Sequence, residues 1–283
     1  MATHFQISPD GAFLYHHSLS AYKEIIHGFA LRKNPATGLE VSYGLNGYQP
    51  HSQVLENRHN LMATFFSLNA TDKGKETCLV TLNQIHSDEI VVAEDLASPE
   101  QPVVGDGLLT RRPGLLLAIQ TADCMPILIL DPKGGTVAAV HAGWRGTLKR
   151  IVEKAIRRMQ NRFGSDPEQC IAVVGPSIRN CCYSVGAEVF SAYEGEFSHA
   201  SSLFTPFSEA VSNLQKPIAQ KKWFLDLPSA CKQQLLECGL EGAKIFADPP
   251  CTACDTQRFF SHRADAGQCG RMMAVIGVLP ASS

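Results

Sequence analysis

The alternation of apolar and polar positions predicts strands in the middle of the chain and helices around them. The runs MPILIL and TVAAV, within residues 121–147, are short and bounded by a turn, as buried strands are. Between them, Asp131-Pro132-Lys133-Gly134 has the residues that a type I turn prefers. Two strands joined so tightly can pair only antiparallel, so the sequence predicts a central hairpin.

The turn sets the register of this hairpin. If Asp131 and Gly134 close it, Cys124 lies opposite His141 on the same face, with Cβ atoms about 4.5–5.5 Å apart. A bulge at Gly134 would instead slip the register by one and send the two side chains to opposite faces. The pair is therefore either part of one site, or a buried cysteine and a core histidine that meet by accident.

The same patterns predict the other elements. Helices are expected at 51–69, after His141 along an apolar stripe from Leu148 to Met159, near 187–196, and between Pro228 and Gly239. Strands are expected in CLVTLNQIHSDEIVVAED around a turn at NQIHSD, in VVGDGLLT, GLLLAIQ, CIAVVGPSI and AKIFAD, and as a pair in RFFSHRADAGQCGRMMAVIGVL. Residues 1–50 suggest edge strands and loops, and 198–222 an exposed excursion. We therefore expect mixed α/β layers around one core.

Composition and charge narrow the class of protein. A chain of 283 residues suits one large domain or two small ones with a substantial core. The net charge of −2 gives no general attraction to nucleic acid or to an anionic membrane, and no apolar run approaches the length of a membrane span. The N-terminus lacks the basic start and apolar core of a signal peptide, so we expect a cytoplasmic protein with reduced cysteines.

Three side chains are candidates for metal ligands. His86, Cys124 and His141 each stand at a predicted turn or strand end, although the 38 residues between His86 and Cys124 give no reason to bring them together. Two imidazoles and one thiolate form a good zinc set that leaves the fourth position open, and such an ion activates water at neutral pH.

Two alternatives for these residues stay open. A Cys-His₂ set can hold copper, with Met125 as an axial ligand, but the sequence has no His-x-His pair to support a multicopper centre. In a metal-free alternative, Cys124 is a nucleophile that His141 activates.

Three further motifs could contribute to a site. The turn in HAGWRGT, from Gly143 to Thr147, could present backbone N–H groups to an anion beside the Arg145 guanidinium, although any strand-to-helix turn also needs glycine. Pro-Cys-x-x-Cys in PPCTACD, at 249–255, is half of a nucleoside-deaminase zinc signature, but the required His-x-Glu is absent upstream, so we interpret it as a structural loop. RFFSHR and Gly270-Arg271 combine aromatic and basic residues that could clamp a nucleoside.

The motifs, taken together and in order, resemble a known family. NQIHSD, VVGDGLLT, TADCMPIL, HAGWRGT, GPSI–CCYSVG, CTACD and FFSHR–GR are similar to those of the YfiH/YlmD family, also called laccase-domain or "polyphenol oxidase" proteins, from about residue 80 to 277. The resemblance implies an α/β (α+β) fold of one catalytic domain over 1–283, with mixed sheets and helices in an α/β/β/α arrangement akin to cysteine hydrolases. It also implies a catalytic zinc held by His86, Cys124 and His141.

The resemblance implies a chemistry as well. The family is associated with phosphorolysis of adenosine, inosine and S-methyl-5′-thioadenosine and with deamination of adenosine, so purine nucleosides and phosphate are the expected partners. The alternatives are a copper-dependent, laccase-like oxidation of phenols and a cysteine-type amidase that edits peptidoglycan precursors.

The type and position of each candidate site residue suggest a hypothesis for its role. The Arg145 side chain and the amides of Gly143, Gly146 and Thr147 would hold the anion, with Arg263 assisting. Asp123 would orient a ligand or carry a proton, and Cys182 is a further candidate.

Overall fold

The computed structural model describes residues 4–68, 77–98, 101–207 and 222–280. In chain order, the strands are β1 (Phe5–Ile7), β2 (Phe13–His16), β3 (Ile25–Ala30), β4 (Cys78–Asn83), β5 (Ile90–Val92), β6 (Val103–Val104), β7 (Gly107–Thr110), β8 (Leu115–Thr121), β9 (Met125–Asp131), β10 (Thr136–Ala142), β11 (Ile171–Val174), β12 (Ser184–Val185), β13 (Phe204–Pro206), β14 (Trp223–Leu225), β15 (Ile245–Phe246) and β16 (Met272–Val278). The helices are α1 (His17–Ser20), α2 (His51–Leu68), α3 (Trp144–Leu148), α4 (Ile151–Phe163), α5 (Ala187–Glu196) and α6 (Leu227–Glu237). Single 3₁₀ turns lie at Ala93–Asp95, Pro167–Gln169, Ala200–Leu203 and Gly242–Lys244.

Two mixed sheets form the middle of the fold. One has the strand order β1-β2-β3-β16-β8-β4-β6 and the other β15-β11-β9-β10-β7-β5, while β12-β14-β13 form a small third sheet. Helix α2 covers the outer face of the first sheet, and α4, α5 and α6 cover the outer face of the second. The predicted α/β/β/α layering is therefore confirmed. Of the helices in the ranges given above, none is both long and apolar enough to cross a bilayer.

Strand β9 is apolar along its length because both of its faces are covered. Leu128 and Leu130 pack against the first sheet, whereas Ile127 and Ile129 pack against the helices on the other side. A strand buried on both faces has no reason to alternate with polar residues, which is why MPILIL reads as a continuous apolar run.

The central hairpin forms, but its turn is longer than predicted. Thr136 pairs with Asp131, so the turn contains the four residues 132–135. The Asp131 carboxylate accepts hydrogen bonds from the backbone N–H groups of Lys133 and Gly134, and Gly135 takes a left-handed φ of 65°. These local contacts favour the longer turn over the tight type I turn of the prediction.

The longer turn changes the register. His141 pairs with Pro126, so the predicted pairing of His141 with Cys124 is wrong by two positions. A shift of two, unlike a shift of one, returns each side chain to its original face. Cys124 and His141 therefore still project on the same side, as diagonal neighbours.

The predicted helices are largely confirmed. Those at 51–69 and 187–196 form as α2 and α5, and α6 has Pro228 in its first turn and Gly239 past its end, as expected. The helix after His141 is divided instead, because Arg150 takes a left-handed φ of 60° between α3 and α4. The apolar stripe of α4 faces the second sheet, and Gly164 ends the helix with a φ of 73°.

The strand, turn and strand predicted around NQIHSD all form, and β4 and β5 belong to different sheets. One predicted strand pair needs correction. RFFSHRADAGQC forms turns rather than a strand, since Ala266 and Gly267 both have positive φ. Only β16 forms in that segment, and it pairs with β3 and β8. Of the predicted excursion at 198–222, residues 208–221 lie outside the described ranges.

A buried histidine on β3 makes the free energy of unfolding depend on pH. His27 is 3% exposed, and its Nε2 accepts a hydrogen bond from the backbone N–H of His16. Burial and the neighbouring His16 lower the pKa of His27 to about 3. The folded protein binds this proton more weakly than the unfolded chain, whose histidines have a pKa of about 6.5. The stabilisation is therefore full above about pH 6.5 and is lost as the pH falls from there towards 3, by about 1.4 kcal/mol per pH unit.

We predict that His27→Gln, which keeps an acceptor but does not titrate, weakens this acid dependence. The measurement is the free energy of urea unfolding at pH 7 and pH 5. The exposed His59 of α2 supplies the control, His59→Gln, which should behave as the wild type does. An undiminished pH dependence in His27→Gln would show that other groups cause it.

Candidate metal centre

The three predicted ligands converge in the structure. Ligand atoms of His86, Cys124 and His141 all lie within 4.8 Å of one another. The Cys124 Sγ lies 3.8 Å from the Nε2 of His86, and the rings of His86 and His141 meet edge to face with centroids 4.9 Å apart. The structure thus brings together a set that sequence spacing could not assemble.

Two crossings between the sheets place His86 beside the hairpin. The chain passes from the first sheet to the second between β4 and β5, and again between β6 and β7. His86 lies on the first crossing with a left-handed φ of 59°, a conformation that is uncommon for residues other than glycine and has support here from a neighbouring segment. Asp106 lies on the second crossing and provides that support.

The Asp106 carboxylate organises the centre. It is fully buried and accepts hydrogen bonds from the backbone N–H groups of Ile85, His86 and Ser87, at 3.2, 3.0 and 2.6 Å, and from the Ser87 hydroxyl at 2.6 Å. It also lies 2.8 Å from the Nδ1 of His141. With Nδ1 donating to this carboxylate, His141 keeps Nε2 free to act as a ligand. Asp106 was not predicted as a site residue, although its place between two glycines just before a strand, in VVGDGLLT, is a signal for one.

The charges of the centre favour a thiolate. Burial opposes ionisation of Cys124, but the imidazoles of His141 and His86 outweigh it and lower the pKa of the thiol to about 6. Burial likewise disfavours the charged form of His141, yet Cys124 and Asp106 raise its pKa to about 9. Hydrogen bonds from His141 and Ser87 overcome burial and lower the pKa of Asp106 to about 2. A thiolate is the form of cysteine that binds metals and attacks electrophiles.

Gly143 leaves the space that the ligands occupy. A Cβ at this position would lie 2.8 Å from the Cys124 Sγ and 3.3 Å from the Cδ2 of His86. The φ of Gly143 is −83°, so the requirement for glycine is one of space and not of backbone conformation.

The centre opens into a cavity of about 830 Å³ that is rich in positive charge. The basic residues in its lining are Arg58, Arg145, Arg263, Arg271, His86, His141 and His262. Asp123 is the only acidic side chain among the described lining residues. The cavity therefore suits an anionic ligand.

The Asp123 carboxylate is engaged by two other loops. It accepts a hydrogen bond of 2.6 Å from the Thr252 hydroxyl and one of 2.7 Å from the backbone N–H of Arg263. These contacts tie the PPCTACD and RFFSHR segments to the residue before Cys124. The geometry supports a positioning role for Asp123 more than proton transfer.

The predicted anion-binding residues separate into two groups. Arg145 and Arg263 line the cavity, and Gly143 forms part of its wall. The Arg145 guanidinium stacks on Trp144 at 4.4 Å, and that of Arg263 donates to the Ser184 carbonyl and hydroxyl. Gly146 and Thr147 are buried and are not among the lining residues, so the geometry does not support contact with a ligand. Cys182 lies beside Cys254, at 3.4 Å, rather than in the centre.

Comparison with known proteins identifies the family. Residues 31–279 match a family model described as multi-copper polyphenol oxidoreductase laccase. The chain therefore belongs to this laccase-like family of YfiH and YlmD proteins, as its motifs suggested. A crystal structure of YlmD from Geobacillus stearothermophilus has 29% sequence identity and a TM-score of 0.82, covering 99% of this chain and 100% of that one.

Two curated relatives carry enzyme names. A purine nucleoside phosphorylase from Deinococcus radiodurans is 34% identical over 258 residues, which span 89% of this chain and 88% of the relative. Adenosine deaminase RL5, from an unknown prokaryotic organism, is 33% identical over 192 residues, which span 65% of this chain and 69% of the relative.

The donor set fits one ion better than a multicopper centre. Over the described ranges, one cluster of potential ligands contains histidine, and it offers two imidazoles and one thiolate. Met125, proposed from the sequence as an axial copper ligand, is fully buried in the core against the helices, so that expectation finds no support. A single-ion Cys-His₂ site is compatible with either zinc or copper.

We predict that Gly143→Ala weakens metal binding at this centre by at least about tenfold, the scale seen when the support of a ligand is disturbed. The added methyl group must displace the Cys124 Sγ or the His86 ring. Competition titration with Zn²⁺ measures the effect. Gly195→Ala is a matched control, because its Cβ meets nothing within 4 Å and should leave the affinity unchanged. Wild-type affinity in Gly143→Ala would mean that the ligands do not occupy their described positions when they bind metal.

Proposed function

We propose that this chain is a zinc-dependent enzyme of purine nucleosides that catalyses phosphorolysis of adenosine, inosine and S-methyl-5′-thioadenosine. The observation that carries the proposal is a Cys-His₂ centre at the wall of a cavity with four arginine side chains. A phosphorylase must bind phosphate beside a nucleoside, and such a cavity suits that need. The name of the Deinococcus radiodurans relative supports purine nucleosides as the class of substrate.

Arg145 is the best candidate for binding phosphate. Its exposed guanidinium forms no ion pair within the described residues, so it can contact a ligand without breaking an existing salt bridge. Arg58 and Arg271, by contrast, already donate to the backbone carbonyls of Tyr43 and Cys269. A guanidinium can hold two phosphate oxygens at once, and so fix the orientation of the nucleophile.

The remaining lining residues suit the nucleoside. The rings of Trp144 and Tyr183 line the cavity beneath the guanidinium groups of Arg145 and Arg263, and a purine would pack beside them. The amides of Asn46 and Gln120 can both donate and accept hydrogen bonds at the edge of the base. We therefore place the base against these residues, with the ribose towards the centre.

The reaction exchanges one bond at the ribose. An oxygen of phosphate bonds to C1′ as the bond from C1′ to N9 of the purine breaks, and the purine leaves with a proton taken from solvent or a neighbouring group. Zinc held by His86, Cys124 and His141 would supply Lewis-acid polarisation of a substrate oxygen or of water. The protein's own contribution is to hold the phosphate near C1′ through Arg145, and to keep His141 oriented through Asp106.

Deamination of adenosine belongs to the same proposal. It needs water to add at C6 and ammonia to leave, so adenosine would bind in this reaction with its base, instead of its ribose, towards the side of the centre that faces the cavity. The name of the relative Adenosine deaminase RL5 supports this second reaction.

A metal-free hydrolase is the second candidate, favoured by one observation. Cys124, His141 and Asp106 are arranged like the catalytic residues of cysteine hydrolases. Cys124 would be the nucleophile and His141 its base, and the Asp106 carboxylate orients His141 from 2.8 Å. Such an enzyme, for example an amidase of peptidoglycan precursors, would work after zinc removal and would be blocked by thiol alkylation.

The deciding experiment measures products and metal together. Protein containing its native metals is incubated with adenosine, inosine or S-methyl-5′-thioadenosine, with and without phosphate, and the products are separated chromatographically. We expect phosphate-dependent release of the free base and conversion of adenosine to inosine. Both activities should disappear on chelation and return with Zn²⁺ but not with Cu²⁺. Cys124→Ala and His86→Ala should lack both.

Other outcomes assign the alternatives. Oxygen consumption with a phenol after Cu²⁺ loading would favour the oxidase. Amide hydrolysis that survives chelation would favour the cysteine hydrolase. If zinc-replete protein forms neither nucleoside product, the proposal is wrong.

We predict that Arg145→Ala raises the KM for phosphate by about tenfold or more, since a hydrogen bond to a charged group contributes about 1.5–3 kcal/mol. Steady-state kinetics at varied phosphate, with zinc content measured in parallel, tests this. Zinc content should not change. Arg158→Ala, which removes an exposed arginine on the outer face of α4, is the control and should leave the KM unchanged. An unaltered KM in Arg145→Ala would show that Arg145 does not bind phosphate and that the phosphate site lies elsewhere in the cavity.

A further inference from the structure

Four cysteines meet outside the His86–Cys124–His141 centre. The Sγ atoms of Cys181, Cys182, Cys251 and Cys254 all lie within 4.8 Å of one another. Two of these distances are 3.5 Å, from Cys181 to Cys254, and 3.4 Å, from Cys182 to Cys254. The cysteines come from two segments of the chain, CCYSVG and PPCTACD, each of which supplies two.

The spacing of the sulfur atoms is close to that of a tetrahedral thiolate site. With zinc–sulfur bonds of about 2.3 Å, neighbouring sulfurs in a regular tetrahedron are about 3.8 Å apart. A disulfide brings its two sulfurs to about 2.05 Å, whereas all four of these cysteines are free thiols. Four thiolates in a closed tetrahedron are typical of structural zinc, and the Cys-x-x-Cys spacing of Cys251 and Cys254 is the usual half of such a site.

The backbone holds the two segments in place. Ser177 donates its N–H to the Pro250 carbonyl at 3.2 Å, and Thr252 donates to the Ser177 carbonyl at 3.1 Å, so the segments run parallel beside the cysteines. Arg179 adds an ion pair to Asp248 and a hydrogen bond to the Pro249 carbonyl. The four sulfurs therefore converge on a frame that does not depend on them.

We propose that Cys181, Cys182, Cys251 and Cys254 bind a second zinc ion, which is structural and has no open position. The site is separate from the proposed catalytic centre and does not depend on the proposed function. It extends the interpretation of PPCTACD as a structural loop by assigning a metal ion to that loop, and it gives Cys182 a role as a ligand.

The second site has a direct connection to the first. Thr252 stands between Cys251 and Cys254, and its hydroxyl donates to the carboxylate of Asp123, the residue before Cys124. An ion at the four cysteines would thus hold the loop that anchors Asp123. Its loss should loosen the cavity wall without removing any residue of the catalytic centre.

The test counts zinc per chain by elemental analysis of protein purified with reductant and without chelator. Cys254→Ser should lose one equivalent relative to the wild type, whereas Cys254→His, which replaces a thiolate with an imidazole ligand, should keep it. Cys254 is exposed, so neither substitution disturbs the core. Cys238→Ser, at a half-buried cysteine after α6, is the matched control and should keep the wild-type zinc content.

Cobalt substitution gives a readout independent of activity. Charge-transfer and d–d bands of a four-thiolate Co²⁺ site should be strong in the wild type and in Cys124→Ala, and lost in Cys254→Ser. Cys124→Ala and His86→Ala should lose only the metal ion of the His86–Cys124–His141 centre and should keep the ion at the four cysteines. Failure of the catalytic proposal and failure of this one are therefore distinguishable.

Two results would overturn the proposal. One is unchanged zinc content and unchanged cobalt spectra in Cys254→Ser. The other is a stable disulfide between any two of the four cysteines in protein purified without reductant, shown by mass spectrometry of peptides.

Discussion

The hydrogen bonds of one buried carboxylate, that of Asp106, hold the candidate centre together. A charge without access to water is tolerated only when its oxygens are fully bonded, and this one accepts five hydrogen bonds from the backbone at 85–87, the Ser87 hydroxyl and His141. The same group thus closes the left-handed turn that aims His86 and fixes the ring of His141. Cys124 is held differently, by its place immediately before β9 and by the contacts of the preceding Asp123 with Thr252 and Arg263.

The parts of this site that were predictable from sequence are those set by local patterns. The two strands of the hairpin were predicted from their apolar runs. His86 was assigned as a metal ligand because several motifs resemble those of a known family. The register was wrong because two adjacent glycines allow more than one turn, and the side-chain contacts of Asp131 decide between them. The role of Asp106 was missed because it depends on a crossing between the sheets, which leaves no periodic signal in the sequence. The four-cysteine cluster depends in the same way on segments about seventy residues apart.

The description of the family and the names of its members point to different chemistries. The description refers to copper and phenols, while relatives are named for nucleosides. A multicopper oxidase needs several ions within electron-transfer distance, and thus many histidines, whereas the centre here is a set for one ion. The surplus of guanidinium groups in the cavity also suits an anionic co-substrate better than a neutral phenol. These features support the nucleoside proposal.

The contacts of Asp123 have a consequence for the order in which the molecule is completed during synthesis. His86, Asp106, Cys124 and His141 all lie between residues 86 and 141, but the partners of Asp123 are 129 and 140 residues further along the chain. A nascent polypeptide would therefore emerge with every ligand of the centre long before the loops that finish the cavity. Contacts of such long sequence separation form late in folding. An ion could then be captured by an immature chain, whereas the pocket for substrate would take shape only near the end of translation.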